Sequence, residues 1–356
     1  MANYPVFDGH NDSLFEVHYK EISGGRDFFR HNAEGHIDLP RAREGGLVGG
    51  FFAVYVPAEP QYRKPKGTTD TVYTDEGYSA PMAREFSHAY AKVEAAALIS
   101  TLAQLVRDSQ GAMQIVRTAS EIEDCINRGV FAILLHFEGA EPIDPDLELL
   151  PLYYEQGLRS IGLVWSRPNA FASGVPFRFP DSPDIGPGLT QVGKSLVRAC
   201  NKLRIMIDLS HLNEAGFWDV SRLSTAPLVA THTAAHAISP STRNLTGKQL
   251  DAIRESDGLV GLNFNVRDVR ADGRADLDTP LTDYVRQIDY LVDRIGIDRV
   301  GFGSDFDGAN ISSHIGDVTG LPKLTAALEA NGYDAASLNK LTHENWLRVL
   351  RKTWGV

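Results

Sequence analysis

At 356 residues the chain is long enough for a full hydrophobic core, as one large α/β domain or as two smaller ones. A formal net charge of −11 without a basic stripe argues against nucleic acid as a partner. Hydrophobic residues make up 43%, mean hydropathy is −0.20, and no apolar run approaches the ~20 residues of a membrane-spanning helix, so no membrane association is expected.

From the N-terminus, eight short apolar runs recur: PVFDGH, LVGGFFAVYV, FAILLHFEG, RSIGLVW, IMIDLSH, PLVATH, GLVGLNF and RVGFGSD. They show little strict alternation, the pattern of parallel strands buried on both faces. Amphipathic segments lie between and after them, at 87–109, 190–203, 246–256, 282–296 and 337–354. Eight strands alternating with helices predict a (β/α)8 TIM barrel of the metal-dependent hydrolase type, one domain over 1–356. An open doubly wound sheet would want a glycine fingerprint after an early strand, and FDGHNDS is not one. Two Pro- and Gly-rich stretches, 57–81 after the second strand and 166–189 after the fourth, predict long loops without helix or strand. Loops of this length are usually lids or interface elements.

The predicted strands end in chemistry. His10 and Asp12 close the first, two apart and so on one face of a strand. Glu138 closes the third, His211 the fifth, His232 the sixth and Asp305 the eighth. In a barrel those C-terminal ends meet at one mouth. Singly, each has a structural explanation. His10 and Asp12 could share a hydrogen bond, Glu138 could pair with Arg159, and the histidines could be satisfied core residues. Together they predict a metal site, because buried charges need compensation. His136 faces the same way as Glu138 but one layer deeper, in the core or behind the ligands. His18, His31, His36, His88, His236, His314 and His343 fall in loops or helices and are expected to be non-ligands.

Cys125 and Cys200 are too few and too isolated for a thiolate site, and read as buried thiols in a reducing compartment. Imidazole with carboxylate suits Zn²⁺, with Mn²⁺, Co²⁺ or Fe²⁺ as alternatives. Three histidines and two carboxylates exceed the needs of one catalytic zinc, so two ions sharing a carboxylate are expected. Paired ions of this kind sit about 3.5–4 Å apart and generate a hydroxide near neutral pH.

The ordered set DGHND, HFEGA, DLSH, THTAAH, STRNLTGKQLDAI, GFGSDFDG and ENWLRVLR resembles the membrane (renal) dipeptidase family, the M19 metallopeptidases of the amidohydrolase superfamily. The resemblance covers essentially the whole chain. It implies two Zn²⁺ per chain, with His10 and Asp12 on the first ion, Glu138 bridging, and His211 and His232 on the second. It implies that Arg243 grips the substrate's C-terminal carboxylate. Asp305 would pass the proton of the attacking metal-bridging hydroxide to the leaving amine, and Asp307 would be a turn residue. Where many members place a histidine that contacts the scissile carbonyl, this chain has Trp165, which has one N–H to donate and no imidazolium form. Asn265 stands where the family often has tyrosine, at a contact made largely through backbone.

The function implied is hydrolysis of dipeptides with a free C-terminal carboxylate, L-Xaa-D-Xaa among them. The alternatives are hydrolysis of N-acyl amino acids on the same barrel, and a metal-binding barrel that recognises peptides without catalysis. Members are often dimers, with the second long loop as an expected interface. With neither a signal peptide nor an apolar tail read from the sequence, a cytoplasmic location is expected.

Overall fold

The computed structural model describes residues 4–20, 25–63 and 68–355. Eight strands run parallel in chain order: β1 (Val6–Asn11), β2 (Leu47–Tyr55), β3 (Phe131–Glu138), β4 (Leu158–Gly162), β5 (Met206–Asp208), β6 (Val229–Thr233), β7 (Leu259–Leu262) and β8 (Val300–Phe302). The sheet curls back on itself just past β8. Asp12 donates its backbone N–H to Phe306, and Asp305 donates to His10, both at 2.9 Å. Asp8 ties the same seam, accepting from the backbone N–H and the hydroxyl of Ser304 at 2.7 Å each. The result is a nearly closed (β/α)8 barrel. A further short strand, Met113–Ile115, pairs with the outer start of β3.

The strands carry apolar residues on both faces because both faces are covered. Every residue of β3 is buried. Phe7, Phe51, Leu134, Met206, Val229 and Leu259 fill the barrel interior, and a larger shell lies between strands and helices. The helices expected from periodicity form at His88–Asp108, Gln191–Leu203, Gly247–Glu255 and Leu281–Ile295. Helices at Ala119–Arg128, Glu214–Leu223 and Leu321–Ala330 complete the outer layer. The C-terminal helical segment is broken by a π turn at Lys340–Glu344, between Ala335–Asn339 and Asn345–Trp354.

Trp346 stops the barrel at the end opposite the site. Its indole lies where Gly9, Gly261 and Gly301 have no side chain. A Cβ on Gly9 would stand 2.3 Å from the ring, and one on Gly301 2.8 Å from Nε1. Nε1 donates to the Phe302 carbonyl at 3.0 Å.

The two long loops are not free of strand, which corrects the expectation. Val72–Tyr73 pairs antiparallel with Tyr78–Ser79, and the latter pairs with Arg178–Phe179 from the other loop. Each strand has only two residues, too short to show a pattern, and each depends on its partner for its backbone pairing. The sheet is fastened to the barrel by aromatic contacts. The Arg267 guanidinium lies over Tyr73 and Tyr78 and donates to the Tyr73 hydroxyl, and the Tyr78 hydroxyl meets Ser241 at 3.3 Å. Positions 64–67 of the first loop lie outside the described residues. Cys125 and Cys200 are buried free thiols in helices. Among the described residues, no helix is long and apolar enough to cross a membrane.

Candidate metal centre

The C-terminal ends of the strands bring the expected residues together. His10 projects from β1, Asp12 follows it, Glu138 ends β3, His211 lies three residues past β5, and His232 sits in β6. The Nε2 atoms of His10, His211 and His232 converge on one atom, Glu138 Oε1, at 3.7, 3.1 and 3.6 Å. His10 Nε2 also faces Asp12 at 3.5 Å and Asp305 at 4.0 Å. All but Asp305 are buried, and Asp305 is partly exposed at the mouth. His211 and Asp305 adopt left-handed backbone, φ +64° and +58°, an uncommon conformation for residues with a Cβ and one often held at functional sites.

Arg159 does not reach Glu138; it bonds the carbonyls of Arg117, Tyr154 and Leu158. Among the described residues, neither ring nitrogen of His10 has a hydrogen-bond partner, and nor does Asp12 Oδ1. His136 has a place of its own, edge-on to His10 with Nδ1 on Ser160 at 2.9 Å and Nε2 3.7 Å from Asp208.

A layer behind the site aims the imidazoles. Thr231 Oγ1 donates to Asp208 Oδ2 at 2.6 Å, so it accepts from His232 Nδ1 at 2.8 Å. That fixes the His232 tautomer with the Nε2 lone pair toward Glu138. Ser166 Oγ holds His211 Nδ1 at 2.8 Å. Hydrogen-bonding the far nitrogen in this way is how metal-binding histidines are oriented.

The electrostatics of the chain alone ask for a cation. Burial pushes the Glu138 carboxyl well up, with His10 opposing and Asp12 and Asp305 adding to the rise. Burial also lifts Asp305 to about 7, against the pull of His10 and with Asp12 reinforcing. Burial would lower His10, yet Glu138, Asp12 and Asp305 hold it up at about 10. His211 and His232 are driven well down by burial, with Arg243 and His10 adding to it. Two neutral imidazoles, three crowded carboxyls and an unpartnered His10 form a donor set of nitrogen and oxygen that fits divalent metal. Two ligand groups emerge, His10–Glu138–His232 and His10–Asp12–Asp305.

Arg243 is buried and donates from Nη2 to the His232 carbonyl at 3.2 Å, and its Nε has no partner among the described residues. Trp165 forms a wall of the mouth, its ring 5.3 Å from Tyr55 and 5.8 Å from His211. Asn265 reaches this set through Asn263. Its backbone N–H goes to Asn263 Oδ1 at 2.7 Å, its carbonyl accepts from Asp268 and Val269, and its side chain donates to Asp268.

Asp307 is more than a turn residue, which corrects the expectation. Its buried carboxylate accepts from Arg26, from Ser13 Oγ at 2.5 Å and from the His36 N–H at 2.6 Å, while its own N–H donates to His36 Nδ1 at 2.8 Å. Sequence reading missed Asn263, which donates to Asp305 Oδ2 at 2.9 Å. It lies just past β7, and a polar residue following an apolar strand was the available signal. Asp208, Thr231 and Ser166 gave no comparable signal, since their partners are set by the barrel.

The sequence profile of the family described as "Membrane dipeptidase (Peptidase family M19)" matches residues 1–355. A metallopeptidase from Rhodobacter sphaeroides, crystallised with a phosphinate mimic of the dipeptide L-Ala-D-Ala, superposes with a TM-score of 0.95 at 48% identity, over 99% of this chain and 100% of that one. The crystal structure of dipeptidase AC, a metallopeptidase of family M19, gives 0.94 at 48% identity over the whole of both chains. A Klebsiella pneumoniae protein, described as uncharacterized and encoded in the pqqA 5′ region, is 49% identical over 256 residues, 72% of this chain and 94% of its own length. The chain belongs to the membrane dipeptidase family, peptidase family M19, and is a metallo-dipeptidase.

Proposed function

We propose that this dipeptidase works with two zinc ions and cleaves dipeptides that carry a free C-terminal carboxylate, L-Xaa-D-Xaa among them. His10 and Asp12 would hold one ion and His211 and His232 the other, with Glu138 between them. The observation that carries the reading is the convergence of three imidazole Nε2 atoms on Glu138 Oε1. Bound there, divalent metal supplies Lewis acidity, which lowers the pKa of water and polarises a carbonyl.

The chain's own groups do the rest. Asp305 takes the proton of the attacking water and delivers it to the departing nitrogen. Asn263 holds Asp305 Oδ2, so Oδ1 is turned toward His10. Arg243 presents a planar guanidinium whose Nε lacks a partner, a fit for the substrate's terminal carboxylate. This grip restricts substrates to short molecules with a free carboxyl end. The phosphinate of L-Ala-D-Ala bound to the 48% identical Rhodobacter sphaeroides relative supports the L,D preference.

The test is metal analysis of the purified chain, then turnover of a panel varying L or D at each position with N-acyl amino acids alongside. Two metals per chain and chelator-sensitive cleavage of L-Xaa-D-Xaa are expected. Turnover of N-acyl amino acids alone would overturn the substrate, and two bound metals without turnover would favour peptide recognition without catalysis.

A further inference from the structure

Trp165 removes from the mouth the imidazole that the resemblance led us to expect, and the residues beside it show what stands in its place. Tyr55 is the last residue of β2, in register with Glu138 on β3, so the two side chains project from the barrel in the same direction. Its ring lies 5.9 Å from Phe15 and 5.3 Å from Trp165. Together with Asp12 and Glu138 these three aromatics line a cavity of about 200 Å³ over the candidate metal centre.

The phenol is held from behind. Arg167, two residues after Trp165 and buried, donates from Nη2 to the Tyr55 hydroxyl oxygen at 3.0 Å. Its guanidinium is itself fixed. Nη1 bonds the Val56 carbonyl at 3.3 Å, Glu141 stands 3.9 Å away, and the plane lies over Phe86 and Trp165 at 4.5 and 4.7 Å. A hydroxyl whose oxygen accepts from a cation has its own O–H polarised outward, and chained hydrogen bonds of this kind strengthen one another. Apart from the single indole N–H of Trp165, the other polar side-chain groups on the cavity wall are carboxylates, Asp307 among them, which accept. Tyr55 is therefore the oriented hydroxyl donor of the wall.

We propose that the Tyr55 hydroxyl, positioned by Arg167, donates a hydrogen bond to the scissile carbonyl oxygen of the substrate and strengthens that bond as negative charge develops there. The inference rests on the dipeptidase reading of the site. Burial keeps the group protonated, pushing it up to about 12 against the opposing pull of Arg167, with Glu138 and Asp12 adding to the rise. No proton is transferred. The tyrosine acts as a fixed dipole, of the kind that stabilises an oxyanion without reorganising.

The experiment uses the metal-loaded full chain and its Tyr55→Phe variant. Two quantities are measured: steady-state kinetics on L-Ala-D-Ala, and the dissociation constant of the phosphinate mimic of that dipeptide, which presents a tetrahedral oxyanion. Loss of one such donor should lower kcat on the order of a hundredfold, with KM little changed and phosphinate binding weakened by a similar factor. Arg167→Lys, which keeps the charge but loses the fork, should give a smaller loss of the same kind. A merely structural role would not couple phosphinate affinity to kcat. If Tyr55→Phe leaves both within about threefold of wild type, or loses activity through KM alone, the proposal is overturned. Wild-type chain that binds the phosphinate tightly but cleaves no dipeptide would defeat the dipeptidase reading instead. The phosphinate comparison would then still decide whether Tyr55 reaches the oxyanion.

Discussion

The Nε2 atoms of His211 and His232 stand 3.0 Å apart, each with its Nδ1 committed elsewhere, to Ser166 and Thr231. Two nitrogen lone pairs cannot face each other at that distance without a proton or a cation between them. The same gap opens onto Glu138 Oε1. Occupation by metal should therefore stabilise the fold as well as enable chemistry. Ligand at a thousandfold excess over its Kd contributes about 4 kcal/mol. Stripping the metal with a chelator should lower Tm by several degrees, and zinc should restore it. An unchanged Tm across chelation and reloading would count against these residues as the site.

Asp305 offers the cleanest separation of chemistry from assembly. It is partly exposed at the mouth and tethered by Asn263, and Asp305→Asn conserves its size. Loss of a positioned acid–base group typically costs 10²–10⁴-fold. Turnover should fall by about that much while metal content holds. In the chain alone burial lifts this carboxyl to about 7, with Asp12 adding and His10 opposing. Bound cations pull it down again, because positive charge favours the carboxylate. The proposed mechanism needs the ionised form to accept a proton, so the acid limb of kcat/KM should lie below pH 7 in the metal-loaded enzyme. That limb should vanish in Asp305→Asn. Metal loss matching activity loss would reassign Asp305 as a ligand.

Trp346 packs beneath the site, against the glycine that precedes His10, and should matter chiefly for stability. Its indole fills the space over three glycines and bonds Phe302. Truncating a buried aromatic side chain to alanine costs about 3–5 kcal/mol. Trp346→Ala should lower Tm by roughly 5 °C in a protein of this size. KM of whatever protein stays folded should be unaltered. A variant as stable as wild type would mean that the barrel end closes without its plug.

The thiols supply a prediction about access. Burial pushes Cys200 up to about 12, and it raises Cys125 too, with Arg128 opposing. Only the thiolate reacts, so a raised pKa leaves Cys200 at pH 8 about one part in 10⁴ reactive even before access is considered. A thiol reagent should therefore label neither cysteine in the native chain and both after denaturation. Rapid labelling of native protein would show that the outer helices open.

The barrel was legible because each strand is a short apolar run covered on both faces, a property of local sequence. Glu138, His211 and His232 were legible for the same reason, as charged or imidazole residues interrupting apolar strand ends. What escaped depends on contacts between distant segments. Asp307 reads as a turn in GSDFDG, and its role comes from Ser13, Arg26 and His36, more than 270 residues earlier. The hairpin at 72–79 is stabilised by pairing with 178–179, about a hundred residues on. Neither partnership leaves a periodic trace. The left-handed backbone that aims His211 is equally silent in the sequence.

In the proposed function Arg243 would decide which substrates the site accepts. It lies two residues after Ser241, which meets Tyr78 of the small three-stranded sheet, and its backbone N–H is held by Ser241 Oγ at 3.2 Å. Its guanidinium donates to the His232 carbonyl, so the group that would bind the carboxylate is anchored to a candidate ligand strand. The distance from a carboxylate bound there to the candidate metal centre would thereby be fixed, which is how such a site would measure a dipeptide. Arg243→Lys keeps the charge but loses the bidentate fork. It should raise KM for dipeptides by about tenfold or more, with kcat falling less, because ground state and transition state lose the same contact. For the corresponding dipeptide amides, which lack the carboxylate, wild type and variant should be equally poor. Wild-type enzyme that cleaves amides and free dipeptides alike would show that the carboxylate is recognised elsewhere, or not at all.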